Sequence, residues 1–203
     1  MAIICLDLEG VLVPEIWINV AERTGIEALR ATTRDEPDYN VLMKNRLKIL
    51  DEHGLKLQDI QAVIAEMGPL EGAGDFLDAI RQDFQVIILS DTFYEFAHPL
   101  MKQLAWPTLF CHRLEVDDQG KVRDYVLRMS DHKRQAVIAL KHLKFQVLAA
   151  GDSYNDTSML KEAHAGFLFR APENVIKEFP QFSQFVDFKA LETAFREAVD
   201  SKF

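Results

Sequence analysis

The apolar run Ile3-Ile4-Cys5-Leu6 ends in Asp7-Leu8-Glu9-Gly10-Val11, which sets two carboxylates two residues apart just past a hydrophobic segment. Two further apolar runs end in polar clusters: Leu89 is followed by Ser90-Asp91-Thr92, and Ala150 by Gly151-Asp152-Ser153-Tyr154-Asn155-Asp156. Lys133 opens a helical stretch ahead of the last of these. Carboxylates, a hydroxyl and one ammonium suit phosphoryl transfer, where catalysis is mostly positioning and the neutralisation of spreading negative charge. A carboxylate such as Asp7 can attack phosphorus and split one hard displacement into two easier ones through an aspartyl phosphate. An anion attacking a phosphate dianion needs a hard divalent cation on oxygen ligands, with Asp7 and Asp152 as candidates and Mg2+ as the natural ion. The Ser90 hydroxyl can bond phosphate oxygens, and the Lys133 ammonium can balance the charge on nucleophile and phosphate together. Each motif alone is weak, since Asp-x-Glu-x-Val or Gly-Asp-x-x-x-Asp arises by chance in many chains; together, at successive segment ends, they form a strong signal.

These residues meet only if the segments that end in them lie side by side. Residues 2–8, 84–89 and 145–150 are short β-branched and apolar runs that read as fully buried parallel strands. Residues 72–82 and 131–143 carry apolar side chains at three- and four-residue spacing and read as helices, with Asp131 at the N-cap position. The alternation predicts an α/β fold, a doubly wound parallel sheet, in which ligands bind beyond the carboxyl ends of the strands. From Pro14 to Pro69 the chain runs far longer than an ordinary crossover connection. Helical spacing over 16–23, 39–53 and 57–67 makes that stretch a small helical cap. The expected division is a catalytic core of residues 1–13 and 70–203 and a cap of residues 14–69. Residues 112–128 read as an antiparallel hairpin beside the main sheet, turning at Asp117 to Gly120. The tail from Pro172 reads as a short helix, a strand near Phe185 and an amphipathic helix over 191–199.

Composition narrows the class of protein. With 203 residues, 48% of them hydrophobic, the chain can bury a substantial core without staples. A formal net charge of -9 argues against a broad nucleic-acid surface. Cys5 and Cys111 lie in apolar runs and read as buried thiols in a reducing compartment. No basic leader precedes the first apolar run, and acids interrupt it early, so the expected location is the cytoplasm, without membrane contact.

The four motifs, in order and on these elements, resemble the haloacid dehalogenase superfamily over nearly the whole chain. The resemblance implies Asp7 as nucleophile, Glu9 as proton donor and Lys133 as charge balance. It also implies Mg2+ held by Asp7, Asp152 and the Glu9 backbone carbonyl, with Asp156 orienting the metal's shell. Within the superfamily, Asp7 to Glu15 and Leu42 to Leu47 are similar to segments of the phosphoserine phosphatases. That likeness implies Glu15 on the substrate ammonium and Arg46 on its carboxylate, with Ser90, Asp91, Lys133 and Asn155 against the rest. The chain also departs from the pattern: Glu9 stands for a second aspartate, Asp91 for glycine, and Ser153-Tyr154 for small residues. This combination resembles the bifunctional members that hydrolyse phosphoserine and also transfer its phosphoryl group to homoserine. The alternative is another small-molecule phosphatase of the superfamily, for a sugar phosphate or a methionine-salvage intermediate, sharing the core and differing in the cap.

Plainer readings stand beside some of these residues. Arg46 lies in the run Lys44, Arg46, Lys48 and can be read as surface charge. His98, His112, His132 and His142 show no ligand spacing beside acidic or cysteine partners and read as surface or core residues. Val41, Leu42, Leu47 and Leu50 read as cap core. Oligomeric state does not follow from one chain.

Overall fold

A computed structural model describes residues 1–32, 35–36 and 38–199 of the chain. The last residues of the expected core, 200–203, and residues 33, 34 and 37 of the expected cap lie outside the described residues. The described chain runs β1 (Ala2–Leu6), α1 (Ile16–Thr24), α2 (Tyr39–Glu52), α3 (Leu57–Glu66), α4 (Ala73–Arg81) and β2 (Gln85–Phe93). It continues through α5 (Tyr94–Gln103), β3 (Thr108–Val116), β4 (Val122–Val126), α6 (His132–His142) and β5 (Gln146–Gly151). It ends with α7 (Thr157–Glu162), β6 (Ala165–Phe169), α8 (Glu173–Glu178), β7 (Ser183–Phe185) and α9 (Phe188–Glu197).

The strands form one seven-stranded sheet in the order β4-β3-β2-β1-β5-β6-β7. All neighbours are parallel except β3 and β4. Every residue of β1 is buried, as a central strand covered on both faces requires. Alternate side chains go to opposite faces. Ile4 and Leu6 join a cluster with Phe76 and Ile80 of α4, Phe96 of α5 and Phe195 of α9. Ile3 and Cys5 join another with Val137 of α6 and Met159 and Leu160 of α7. Helices therefore cover both faces, as expected for a doubly wound sheet. The chain departs from β1 toward β2 on one side and places β5 on the other, which opens a crevice above the carboxyl ends of β1 and β5.

Register brings the motifs level. Leu6 pairs with both Ile88 and Ala150, so Asp7, Leu89 and Gly151 follow at one height. The first strand stops at Leu6, two residues short of expectation, although the Asp7 N–H still donates to the Ala150 carbonyl at 3.0 Å. The second strand extends to Phe93, so Ser90, Asp91 and Thr92 lie within it rather than past its end. Its pairing with β3 shifts between Leu89 and Phe93, an irregularity that re-aims side chains at that point.

Several further expectations need correction. The hairpin does not stand beside the sheet: its first strand is the sheet's next parallel strand, and β4 closes that edge. Two elements were not expected at all: helix α5, which carries Pro99 inside it, and β6, whose apolar run opens on Ala165-Gly166. The last helix starts at Phe188, three residues early, where the Asp187 side chain accepts from the Ala190 N–H. Asp131 has φ +50° and does not cap α6; its Oδ1 accepts from the Ser158 hydroxyl at 2.7 Å. Both cysteines are buried free thiols.

Helices α1 to α3 occupy the long stretch between β1 and α4, as the sequence predicts. They pack onto the rest of the molecule, with the Trp17 ring edge-on to Phe96 at 5.5 Å. Leu42 and Leu50 are buried and Leu47 is partly so, but Val41 is 42% exposed and is not core.

Candidate active site

Asp7 is buried just past β1, where its Oδ1 accepts from the Leu8 N–H at 2.7 Å and lies 2.9 Å from Lys133 Nζ. Lys133 is buried in the first turn of α6 and also reaches Asp156 Oδ1 at 2.8 Å and Asp91 Oδ2 at 3.5 Å. The other oxygen of Asp156 accepts from the N–H groups of Asp152 and Ser153 at 3.0 and 3.1 Å. Asp156 thus fixes the loop that carries Asp152, and its own oxygens are taken. Close approach dictates two glycines: a Cβ on Gly151 would lie 2.3 Å from Asp156 Cγ, and one on Gly10 would lie 2.4 Å from Asp152 Oδ2. Gly10 also has φ +75°, a conformation side chains resist.

Carboxylate oxygens of Asp7, Asp152 and Asp156 all lie within 4.8 Å of one another, and all three residues are buried. Burial first, and the charge of Asp156 next, push the Asp7 carboxyl well above the usual range, against the pull of Lys133. Burial opposes the charge on Lys133, but Asp156, Asp7 and Asp91 together hold its ammonium form. One ammonium among this many carboxylates leaves an excess of negative charge on oxygen donors, which suits a hard divalent cation.

Every predicted site residue except Asp156 lines one pocket of about 110 Å3. Ser90 is buried in its floor, where its hydroxyl oxygen accepts from the Thr92 N–H at 3.2 Å and its own proton remains to donate. Glu9 Oε2 accepts from the Ile16 N–H, the first of α1, at 2.8 Å. Burial, with Glu15 close by, pushes the Glu9 carboxyl up to about 8. Leu42 also lines the pocket, so it is wall as well as cap core.

Arg46 is 7% exposed, which overturns its reading as a surface charge. Its guanidinium lies 4.5 Å from the centroid of the Trp17 ring, and Nη2 donates to the Ala31 carbonyl at 2.7 Å. Nη1 faces the Met43 sulfur at 3.6 Å, while Nε is buried without a partner. Burial lowers the guanidinium to about 10, so an anion brought to it would relieve both the desolvated charge and the orphaned N–H.

Asp91 is the hub of a network that sequence reasoning missed. Its Oδ1 lies 3.0 Å from His132 Nε2 and 3.5 Å from His112 Nε2, and its Oδ2 accepts from Asn155 Nδ2 at 2.6 Å. Burial works against its charge, but Lys133 and hydrogen bonds from both histidines hold the carboxyl well below the usual range. His112 and His132 are therefore core residues, one of the two readings their sequence allowed, and separations of 21 and 41 residues from Asp91 leave no local signal of their acidic partner. The His112 Nδ1 accepts from the Arg128 N–H at 3.1 Å, so the neutral ring carries its proton on Nε2, facing Asp91. A protonated nitrogen has no lone pair for a metal, so this trio reads as a hydrogen-bonded anchor. Tyr39 of α2 adds a contact from above, its hydroxyl donating to the Asp91 carbonyl at 3.1 Å.

The haloacid dehalogenase-like hydrolase family matches residues 1–164. Phosphoserine phosphatase ThrH of Pseudomonas aeruginosa is 67% identical over 198 residues, covering 98% of this chain and 97% of its own. Phosphoserine phosphatase of Pseudomonas syringae pv. tomato is 65% identical over 196 residues, covering 97% and 83%. A substrate-bound phosphoserine phosphatase complex superposes with a TM-score of 0.77 at 20% identity, covering 95% of this chain and 97% of the other. A phospho-aspartyl intermediate analogue of phosphoserine phosphatase gives 0.74 at 20% identity, covering 91% and 92%. At that identity the likeness is one of fold. Among the described residues, no helix is long and apolar enough to cross a membrane. Sheet topology, the acidic crevice and the family match converge: the chain belongs to the haloacid dehalogenase-like hydrolases.

Proposed function

We propose that this hydrolase is a Mg2+-dependent phosphoserine phosphatase that works through an aspartyl phosphate on Asp7 and also passes the phosphoryl group to homoserine. The observation that carries the substrate assignment is Arg46, buried with an unpartnered Nε in the same pocket as Asp7 and Glu15. A cationic clamp and an anionic clamp beside a phosphoryl site suit a small phosphorylated amino acid, its carboxylate on Arg46 and its ammonium on Glu15. The names of the Pseudomonas relatives support the same substrate.

Residues 14–69 would act as a cap domain that reads the substrate, and the remainder as the catalytic core. Asp7, Asp152 and the Glu9 carbonyl would hold Mg2+, with Asp156 behind them. When bound, the ion neutralises carboxylate and phosphate charge and so lets the anionic nucleophile approach.

In the first half-reaction an Asp7 oxygen forms a bond to phosphorus as the bond to the serine oxygen breaks. Glu9, with its carboxyl raised to about 8, is protonated at neutral pH and gives its proton to that oxygen, releasing serine. Ser90, Asn155 and the Lys133 ammonium hold the phosphoryl oxygens and the edge of the substrate, while Asp91 restrains Asn155 and Lys133. In the second half the ionised Glu9 takes the proton of the attacking hydroxyl as its oxygen bonds to phosphorus and Asp7 leaves. Water as acceptor gives phosphate, and homoserine gives phosphohomoserine. Homoserine is the product serine with one more methylene, so the same two clamps can aim its hydroxyl at phosphorus.

Arg46→Ala tests the substrate assignment. The variant should lose roughly 100-fold in kcat/KM for phosphoserine while keeping its rate on phenyl phosphate, which has no carboxylate to grip. Equal loss on both substrates, or none on phosphoserine, would assign the pocket to a different phosphate ester.

A further inference from the structure

We infer that the hydrogen bond between Asp91 and Asn155 is a specificity wall that confines the phosphoryl pocket to small esters by closing it off from a larger neighbouring cavity. This inference rests on reading the Asp7 pocket as a phosphoryl-transfer site. Beside that pocket of about 110 Å3 lies a second cavity of about 840 Å3. Tyr39, Asp91, Lys133, Ser153 and Asn155 line both spaces, and within that shared border Asn155 Nδ2 donates to Asp91 Oδ2 at 2.6 Å.

The two halves of the wall are held unequally. Asp91 is anchored from behind by His132 and His112, both buried, and His112 is fixed in turn by the Arg128 N–H. Those contacts engage Oδ1, while Oδ2 faces Asn155 and, at 3.5 Å, Lys133 Nζ, so the carboxylate cannot swing aside without breaking them. Asn155 is exposed on the short turn after β5, and its Oδ1 accepts from the neighbouring Ser153 hydroxyl. The exposed partner is thus tied to a buried anchor. On the far side, Leu127, Met129 and Tyr154 give the large cavity apolar sides.

The substrate class that this arrangement excludes is therefore phosphate esters of bulky, partly apolar alcohols and phenols. A leaving group that outgrows the space beside Glu15 and Arg46 would find further room across the line from Asn155 to Asp91. Opening that line joins the two spaces and offers such a leaving group an apolar wall.

The test is size selectivity, measured as the ratio of kcat/KM for 1-naphthyl phosphate to that for phenyl phosphate. Parent protein, Asn155→Ala, Asp91→Ala and the double variant are compared. Each single change should raise the ratio about tenfold, the scale of discrimination a pocket wall supplies. The double variant should match the single ones, because both changes break the same bridge. An unchanged ratio in Asn155→Ala, or effects that multiply in the double variant, would overturn the wall. Should Asp91→Ala fail to fold, Asn155→Ala decides alone, since its side chain is exposed and removes no core packing. Turnover of phenyl phosphate without turnover of phosphoserine would overturn the amino-acid reading of the pocket and leave the wall to stand on its own ratio.

Discussion

Lys133 Nζ lies 2.9 Å from Asp7 and 2.8 Å from Asp156, so one buried ammonium joins the proposed nucleophile to the carboxylate that ties down the loop bearing Asp152. The acidic crevice is thereby built around a shared charge rather than around separate pairs, and its parts should fail together.

Removing that charge is the first prediction. Lys133→Met keeps the volume but leaves Asp7 and Asp156 buried without their cation, a change of the kind that destabilises by about 3–5 kcal/mol. Urea unfolding without Mg2+ should show that loss, and turnover should fall by roughly 100-fold or more. A variant of parental stability would mean that the carboxylates are not held by Lys133.

Gly10 should be needed for cation binding more than for folding. A methyl group there would meet Asp152 Oδ2 at 2.4 Å and strain a residue at φ +75°. In the parent, Mg2+ should raise the melting temperature, since a ligand at 100 times its Kd stabilises by about 2.7 kcal/mol. Gly10→Ala should lose most of that Mg2+-dependent rise. A full rise in the variant would separate Asp152 from the cation.

Glu9 should set a limit at alkaline pH. Burial and Glu15 raise its carboxyl to about 8, so it stays protonated below that pH and loses its proton as pH rises through it. The proton donor is then lost, and kcat/KM for phosphoserine should fall above about pH 8. Glu9→Gln should lower the plateau and abolish that limb. A limb unchanged in the variant would assign the ionisation to another group.

The length of the Glu9 side chain should govern the fate of the phosphoenzyme. One methylene more than aspartate places the carboxylate differently for activating water, which gives an alcohol time to intercept the aspartyl phosphate. Glu9→Asp should shift the products from phosphohomoserine toward phosphate. An unchanged ratio would remove Glu9 from the explanation.

Much of this site was legible because its residues sit at the ends of strongly apolar segments. Asp7, Ser90 and Asp152 follow runs that only buried strands satisfy, and the level register of Leu6 with Ile88 and Ala150 brings them together. The helices between β1 and α4 announced themselves by length and periodicity. What stayed hidden depends on tertiary approach. His112 and His132 converge on Asp91 from β3 and α6, and no spacing in the chain records that meeting. The burial of Arg46 could not be told from its sequence, because its neighbours Lys44 and Lys48 are surface charges on the same helix and the Trp17 ring that gives it an apolar bed comes from another helix. The Asp131 cap failed for a local reason: with φ +50° its backbone turns the side chain toward Ser158 instead of the helix end.

The most direct measurement is product analysis after incubating the protein with phosphoserine and Mg2+, with and without homoserine, beside an Asp7→Asn control. Phosphate and serine should form without homoserine, phosphohomoserine should appear only when homoserine is added, and the control should form neither. Phosphate release that survives Asp7→Asn would contradict the aspartyl-phosphate mechanism, and no turnover of phosphoserine by the parent protein would contradict the substrate assigned to Glu15 and Arg46.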